Sequence, residues 1–195
     1  MLSAIGVGIY PILFLSIPQD QGLLGTKSTE LLANTVYMLG FYTHIFFGGI
    51  ALLSGFSQFF PALRRKRLGL HRNLGKVYVL SVLFSGMAGL GIAIRATGGW
   101  MAISGFSILA LLWLYFTVMA YRVIREGKVT AHQKWMIRSY ALCFGAVTLR
   151  IYLPLSMALE IDFMIAYPII AWLAWVPNLV LAEWLFVRPL RSVPA

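Results

Sequence analysis

The feature that most constrains this chain is the recurrence of apolar runs. Each is about as long as the roughly 20 residues a helix needs to cross a bilayer. Six such runs lie at residues 2–17, 36–60, 77–96, 100–121, 134–156 and 164–187. In hydrocarbon there is no water for backbone N–H and C=O groups, so each run must satisfy them internally, as a helix. The expectation is therefore all-α: an integral membrane bundle of six transmembrane helices, with residues 1–195 forming a single polytopic domain. Composition agrees, since 60% of residues are hydrophobic and 11% charged, against about a quarter charged in a soluble domain. Six spans leave these residues no room for a soluble core.

Punctuation separates the runs. Pro18 ends the first, because proline cannot continue a helix and restricts the residue before it. Residues 18–35 form the longest polar connection, Pro61 is expected to close the second span, and Gly98-Gly99 to turn the third into the fourth. Pro177 predicts a kink in the last span. The first run lacks a basic leader, and Ser16-Ile17-Pro18 is no cleavage site, so it reads as a retained helix.

A net charge of +10 would point to nucleic acid in a soluble protein. Here its distribution points to orientation instead, because lysine and arginine gather in cytoplasmic loops. Thirteen of the sixteen basic residues fall between spans two and three, between spans four and five, or after span six. Four of the six acids, Asp20, Glu30, Glu160 and Asp162, fall on the other side. Both termini are thus expected in the cytoplasm of a bacterial inner-membrane protein. The single cysteine, Cys143, lies within a span and excludes an intramolecular disulfide.

Few residues remain to carry chemistry. His132, Trp135, Ser139, Cys143, Ala146 and Arg150 recur at helical spacing and are expected to share one face of the fifth span. His44, about 12 Å into span two, continues through Gly48, Ala51, Gly55 and Gln58. That stripe fits close helix packing or a surface for a cofactor or substrate. His71 and His132 stand at the basic ends of spans three and five. If those helices are neighbours, the two rings form a pair of the kind that axially ligates a b-type haem iron. Arg72 and Arg138 could then neutralise its propionates; otherwise both histidines are simply solvated at the membrane surface.

Arg95 and Arg150 lie roughly 27 and 24 Å from the basic ends of their helices, near the depth of His44. With Tyr42 and Tyr152 they could line a pocket for a quinone or a small anion. Arg95 could equally be a snorkelling surface residue, and Arg150 could pair with Glu160 or Asp162. Glu183, only about 6 Å from its basic end, needs a partner among Arg72, Lys134 and Arg138. No HExxH pair, GxSxG elbow, Walker loop or Rossmann fingerprint occurs, and no pair of acids is placed for glycosidase or aspartic-protease work, which argues against hydrolysis.

The stretches HIFFGGIALLSGFSQFFPALR (44–64), LHRNLGKVYV (70–79), HQKWMIRSYALCFGAVTLR (132–150) and WVPNLVLAEW (175–184) resemble the bacterial membrane proteins of domain-of-unknown-function family 2306. The resemblance implies a polytopic helical fold and brings no activity with it. At the level of architecture the chain is also similar to cytochrome b-561-like electron carriers, whose central helices pair histidines, second with fourth and third with fifth. That likeness would put His44 on the second helix, His71 on the third and His132 on the fifth. Span four has no histidine, so it implies at most one haem. The functions left open are a haem redox protein with a quinone or anion pocket on the far side, a cofactor-free transporter or sensor of a small anion or lipid headgroup, and an accessory subunit of a membrane complex. The partners these imply are the bilayer, a second copy or another membrane protein, and no nucleic acid.

Overall fold

Five helical stretches of the computed structural model, which describes residues 6–8 and 23–190, are long and apolar enough to cross a membrane. No strand occurs among the described residues. A 3-10 turn (Leu24–Thr26) and a short helix α1 (Thr29–Leu32) lead into α2 (Thr35–Ser57), α3 (Pro61–Lys66), α4 (Leu68–Ala93) and α5 (Gly99–Arg125). The next span is divided into α6 (Val129–Cys143) and α7 (Gly145–Ala158). The last is divided into α8 (Phe163–Leu173), α9 (Val176–Ala182) and a π-helical turn (Glu183–Val187). These stretches coincide with the second to sixth expected spans. The first expected span, residues 6–8 apart, and Arg191 lie outside the described residues.

Local chemistry sets the ends. Asn34 caps α2 by accepting from Tyr37 N at 3.0 Å, and Asp162 caps α8 by accepting from Met164 N at 2.8 Å. Pro61 does not close the second span. The helix ends at Ser57, and Pro61 opens α3, where its missing N–H is one the helix start leaves unbonded anyway. On the basic side α4 begins at Leu68 and α6 at Val129, earlier than the apolar runs. Long cationic side chains can occupy a first helical turn while their charges stay in the interface. Gly98 and Gly99 turn α4 into α5 at φ 92° and 70°, and a Cβ on Gly98 would lie 2.5 Å from Pro168 Cγ.

Lipid tails are as apolar as leucine, so helices associate through close packing and interhelical hydrogen bonds. Four spans close a ring, with α2 against α4, α4 against α5, α5 against α6, and α6 back against α2. α4 and α6 therefore face one another diagonally. Glycines make the approaches possible. A Cβ on Gly55 would sit 2.6 Å from the Tyr78 ring and 2.7 Å from the Tyr140 ring, and one on Gly86 would sit 2.7 Å from Leu114. Leu39, Phe46, Leu80 and Leu111 are exposed and meet lipid.

The last two spans break midway and against each other. Trp175, at φ −128° and ψ −32°, interrupts the last span beside Pro177, where the sequence predicts a kink. The break at Phe144 has no proline. A Cβ on Gly145 would lie 3.3 Å from both Ala174 O and Trp175 Cβ. Asn178 Nδ2 donates to Thr148 Oγ1 at 2.8 Å and to Ala174 O at 2.9 Å, tying the breaks together. This corrects the expected single face of the fifth span. Ser139 and Cys143 are buried, but beyond Phe144 the buried positions are Gly145, Val147, Thr148 and Ser156, and Ala146 is exposed.

At the end away from the basic loops, Lys27 Nζ donates to Arg95 O at 2.7 Å and Thr97 Oγ1 at 2.8 Å. Leu24 packs beneath it with Phe41 and Ile92. Burial holds the Lys27 ammonium below the usual lysine value. Lys27→Ala is expected to speed amide exchange across residues 23–34 by roughly tenfold, the worth of one or two such bonds. The global unfolding midpoint should barely move. Hydrogen–deuterium exchange read by mass spectrometry checks both, and unchanged protection would mean that Lys27 does not anchor the segment.

Candidate site at the basic end of the bundle

A closed hydrogen-bonded ring crosses the bundle centre. Trp113 Nε1 lies 3.4 Å from Tyr78 Oη, Tyr78 Oη 2.6 Å from Ser139 Oγ, and Ser139 Oγ 2.6 Å from Thr117 Oγ1. Thr117 Oγ1 is 2.7 Å from Trp113 O. A carbonyl only accepts, so Thr117 donates there, and the remaining protons are then fixed in turn. Ser139 donates to Thr117, Tyr78 to Ser139, and the Trp113 indole to Tyr78. The ring joins α4, α5 and α6 with every member satisfied.

One heptad nearer the basic end, His71 precedes Tyr78 on α4 and His132 precedes Ser139 on α6. Seven residues are about two helical turns, so each histidine lies on the face whose hydroxyl already meets the other helix. The His132 charge acts electrostatically on His71. His132 Nδ1 lies 2.9 Å from Ala120 O of α5. Because the carbonyl cannot donate, Nδ1 carries the proton, and in the neutral ring Nε2 presents its lone pair. His71 Nδ1 is buried without a hydrogen-bond partner.

The arginines around this pair divide. Arg138 donates from Nε and Nη2 to the two Glu183 carboxylate oxygens at 2.8 and 2.9 Å, and its guanidinium lies 4.8 Å from the Trp135 ring centre. Depth requires a basic partner for Glu183, and the fold selects Arg138 from the three candidates. That pairing commits Arg138 to a protein carboxylate. Arg72 is exposed, and both it and Arg64 of α3 act electrostatically on His71.

Toward the opposite end, His44 Nδ1 lies 2.9 Å from Ser85 O, and Ser85 Oγ donates to His44 O at 2.9 Å. Gly48 and Gly89 let the ring lie against α4, since a Cβ on Gly89 would come 2.7 Å from His44 Nδ1. The stripe on span two is thus a packing face that also carries a histidine. Arg150 donates from Nη1 to Ala146 O at 3.0 Å, and its charge acts on His44. Tyr42 packs edge-on against Phe41 at 5.7 Å, and Tyr152 is partly buried. Arg95 is exposed, and its backbone carbonyl holds Lys27. Among the described residues no hydrogen bond joins its side chain to His44.

No cluster of three or more histidine, cysteine or acidic side chains that could hold a metal ion occurs among the described residues. Metal chemistry would therefore rest on an axial pair. Both histidines fit such a group in donor type, and His132 fits also in support: ligating imidazoles commonly give their other N–H to a carbonyl, as His132 does to Ala120, whereas His71 Nδ1 has no such partner. No sequence motif announces the ring of Tyr78, Ser139, Thr117 and Trp113. The heptad offsets to His71 and His132 are its only trace in the sequence.

A family model described as "Predicted membrane protein (DUF2306)" matches residues 41–186, a span that contains all four motif stretches quoted above. No curated protein and no solved structure matches the chain, so the likeness to cytochrome b-561-like carriers has no support from these comparisons.

Proposed function

We propose that this chain, which belongs to the DUF2306 family of predicted membrane proteins, is a membrane redox protein holding one b-type haem between His71 and His132. The observation that carries the reading is the His132 Nδ1–H bond to the Ala120 carbonyl, which orients a free Nε2 on a helix diagonal to His71. A haem in that place would supply one-electron exchange. The chain's own residues set its surroundings. Ala120 fixes the His132 tautomer, the Tyr78 ring closes the far side with fully satisfied groups, and Arg64 and Arg72 offer cations for propionates. The excess of basic residues at this end favours a haem near the cytoplasmic face of a bacterial inner membrane.

Protein purified in mild detergent from haem-replete cells should show a Soret band, with reduced-minus-oxidised bands of a six-coordinate b-type centre. Pyridine haemochrome assay should give about one haem per chain, as a single axial pair allows. Colourless protein from such cells would refute the reading.

A further inference from the structure

The last span ends on the π-helical turn Glu183–Val187, closed by Arg188 N donating to Glu183 O at 3.0 Å. In an α-helix, residues five apart point about 140° away from each other. A bond between residues five apart instead sets the fifth nearly above the first. The turn therefore brings Glu183 and Arg188 to one side of the span. There they line an open cavity of about 290 Å³ together with Val180 and Trp184. Single π-helical turns are uncommon and often stand at functional sites.

The wall of this cavity has an apolar and a charged part. Val180 and Trp184 are exposed apolar side chains one turn apart, and tryptophan near a span end marks the membrane interface. Both Glu183 oxygens already accept from Arg138, at 2.8 and 2.9 Å. That pair neutralises itself and leaves Arg188 as the uncompensated charge. Arg188 is exposed, and among the described residues no hydrogen bond engages its guanidinium. Two guanidiniums and one carboxylate suit a ligand group carrying a single negative charge. The carboxylate would repel the further charge of a free phosphate. An apolar wall that runs from the lipid to a guanidinium at headgroup level fits an amphiphile better than a small ion.

We infer that the cavity at the Glu183–Val187 turn binds a phospholipid of the surrounding leaflet. The lipid phosphodiester accepts from Arg188, and its glycerol and upper acyl chains lie against Val180 and Trp184. The test is titration of the full chain in detergent micelles with dioleoyl phosphatidylglycerol, with bound lipid counted by native mass spectrometry. Arg188→Gln should weaken the first bound lipid roughly fivefold, the worth of one cation near a membrane surface. Arg188→Lys should keep most of the affinity, and Trp184→Ala should lower it. Arg125→Gln removes an exposed charge at the same end of the bundle but outside the cavity, and should leave binding nearly unchanged. Equal losses from Arg125→Gln and Arg188→Gln would reveal a diffuse surface attraction and overturn the inference. Unchanged binding by Arg188→Gln, or displacement of the lipid by glycerol 3-phosphate, would overturn it as well. The count of bound lipid needs no haem, so a colourless preparation leaves its outcome unaffected.

Discussion

Gly55→Val is expected to destabilise the protein by about 3 kcal/mol or to prevent its insertion as a folded bundle, the upper range for overpacking a tight core. Even a Cβ would meet the Tyr78 ring at 2.6 Å and the Tyr140 ring at 2.7 and 2.8 Å. Both rings are anchored, Tyr78 in the Trp113–Ser139 circuit and Tyr140 on Leu52 O. Neither can swing aside without breaking a hydrogen bond, buried at Tyr78 and partly buried at Tyr140, at roughly 1–3 kcal/mol for each buried group left unpaired. Gly91 is the internal control, because a Cβ added there would have nothing within 4 Å. Gly91→Val should stay within about 0.5 kcal/mol of the parent. Circular dichroism during unfolding in detergent compares the two. Equal midpoints would mean that α2, α4 and α6 do not meet at Gly55.

His132→Ala is expected to remove the Soret absorption completely, and His71→Ala likewise, if the pair ligates a haem. The fold should survive. The His132 bond to Ala120 O is a single side-chain hydrogen bond, whose loss costs about 1 kcal/mol. His132→Gly grown or purified with added imidazole should recover absorption, because a free ring can occupy the vacated axial position. A merely structural histidine predicts the opposite pattern: a lower unfolding midpoint, an unchanged spectrum and no rescue.

Much of the fold is legible because a membrane makes length and polarity decisive. Each of five apolar runs forms a spanning stretch, since unbonded backbone is too costly in hydrocarbon. Glu183 announces its need for a cation by depth and finds Arg138. Pro177 announces a break. The stripe from His44 to Gln58 announces a close helix contact, and Gly48 and Gly55 do lie against α4. The features without a local signal depend on partners distant in the chain. The Phe144 break depends on Gly145 meeting the Ala174 carbonyl and Trp175, which no local pattern around residue 144 encodes. It also turns Ala146 outward, against the periodicity that groups it with Ser139.

The sequence by itself determined that these residues span a membrane, where the crossings run and which end gathers the positive charge. Each of those depends on a segment's own length, polarity or charge. Only the tertiary structure decided which way His44, His71 and His132 turn. In lipid, outward and inward faces can be equally apolar, so hydrophobicity carries little information about facing. Facing is set instead by glycines that admit a neighbour's ring and by carbonyls that accept a ring N–H. Ser85 O for His44 and Ala120 O for His132 are backbone atoms of another helix, brought into reach only by packing.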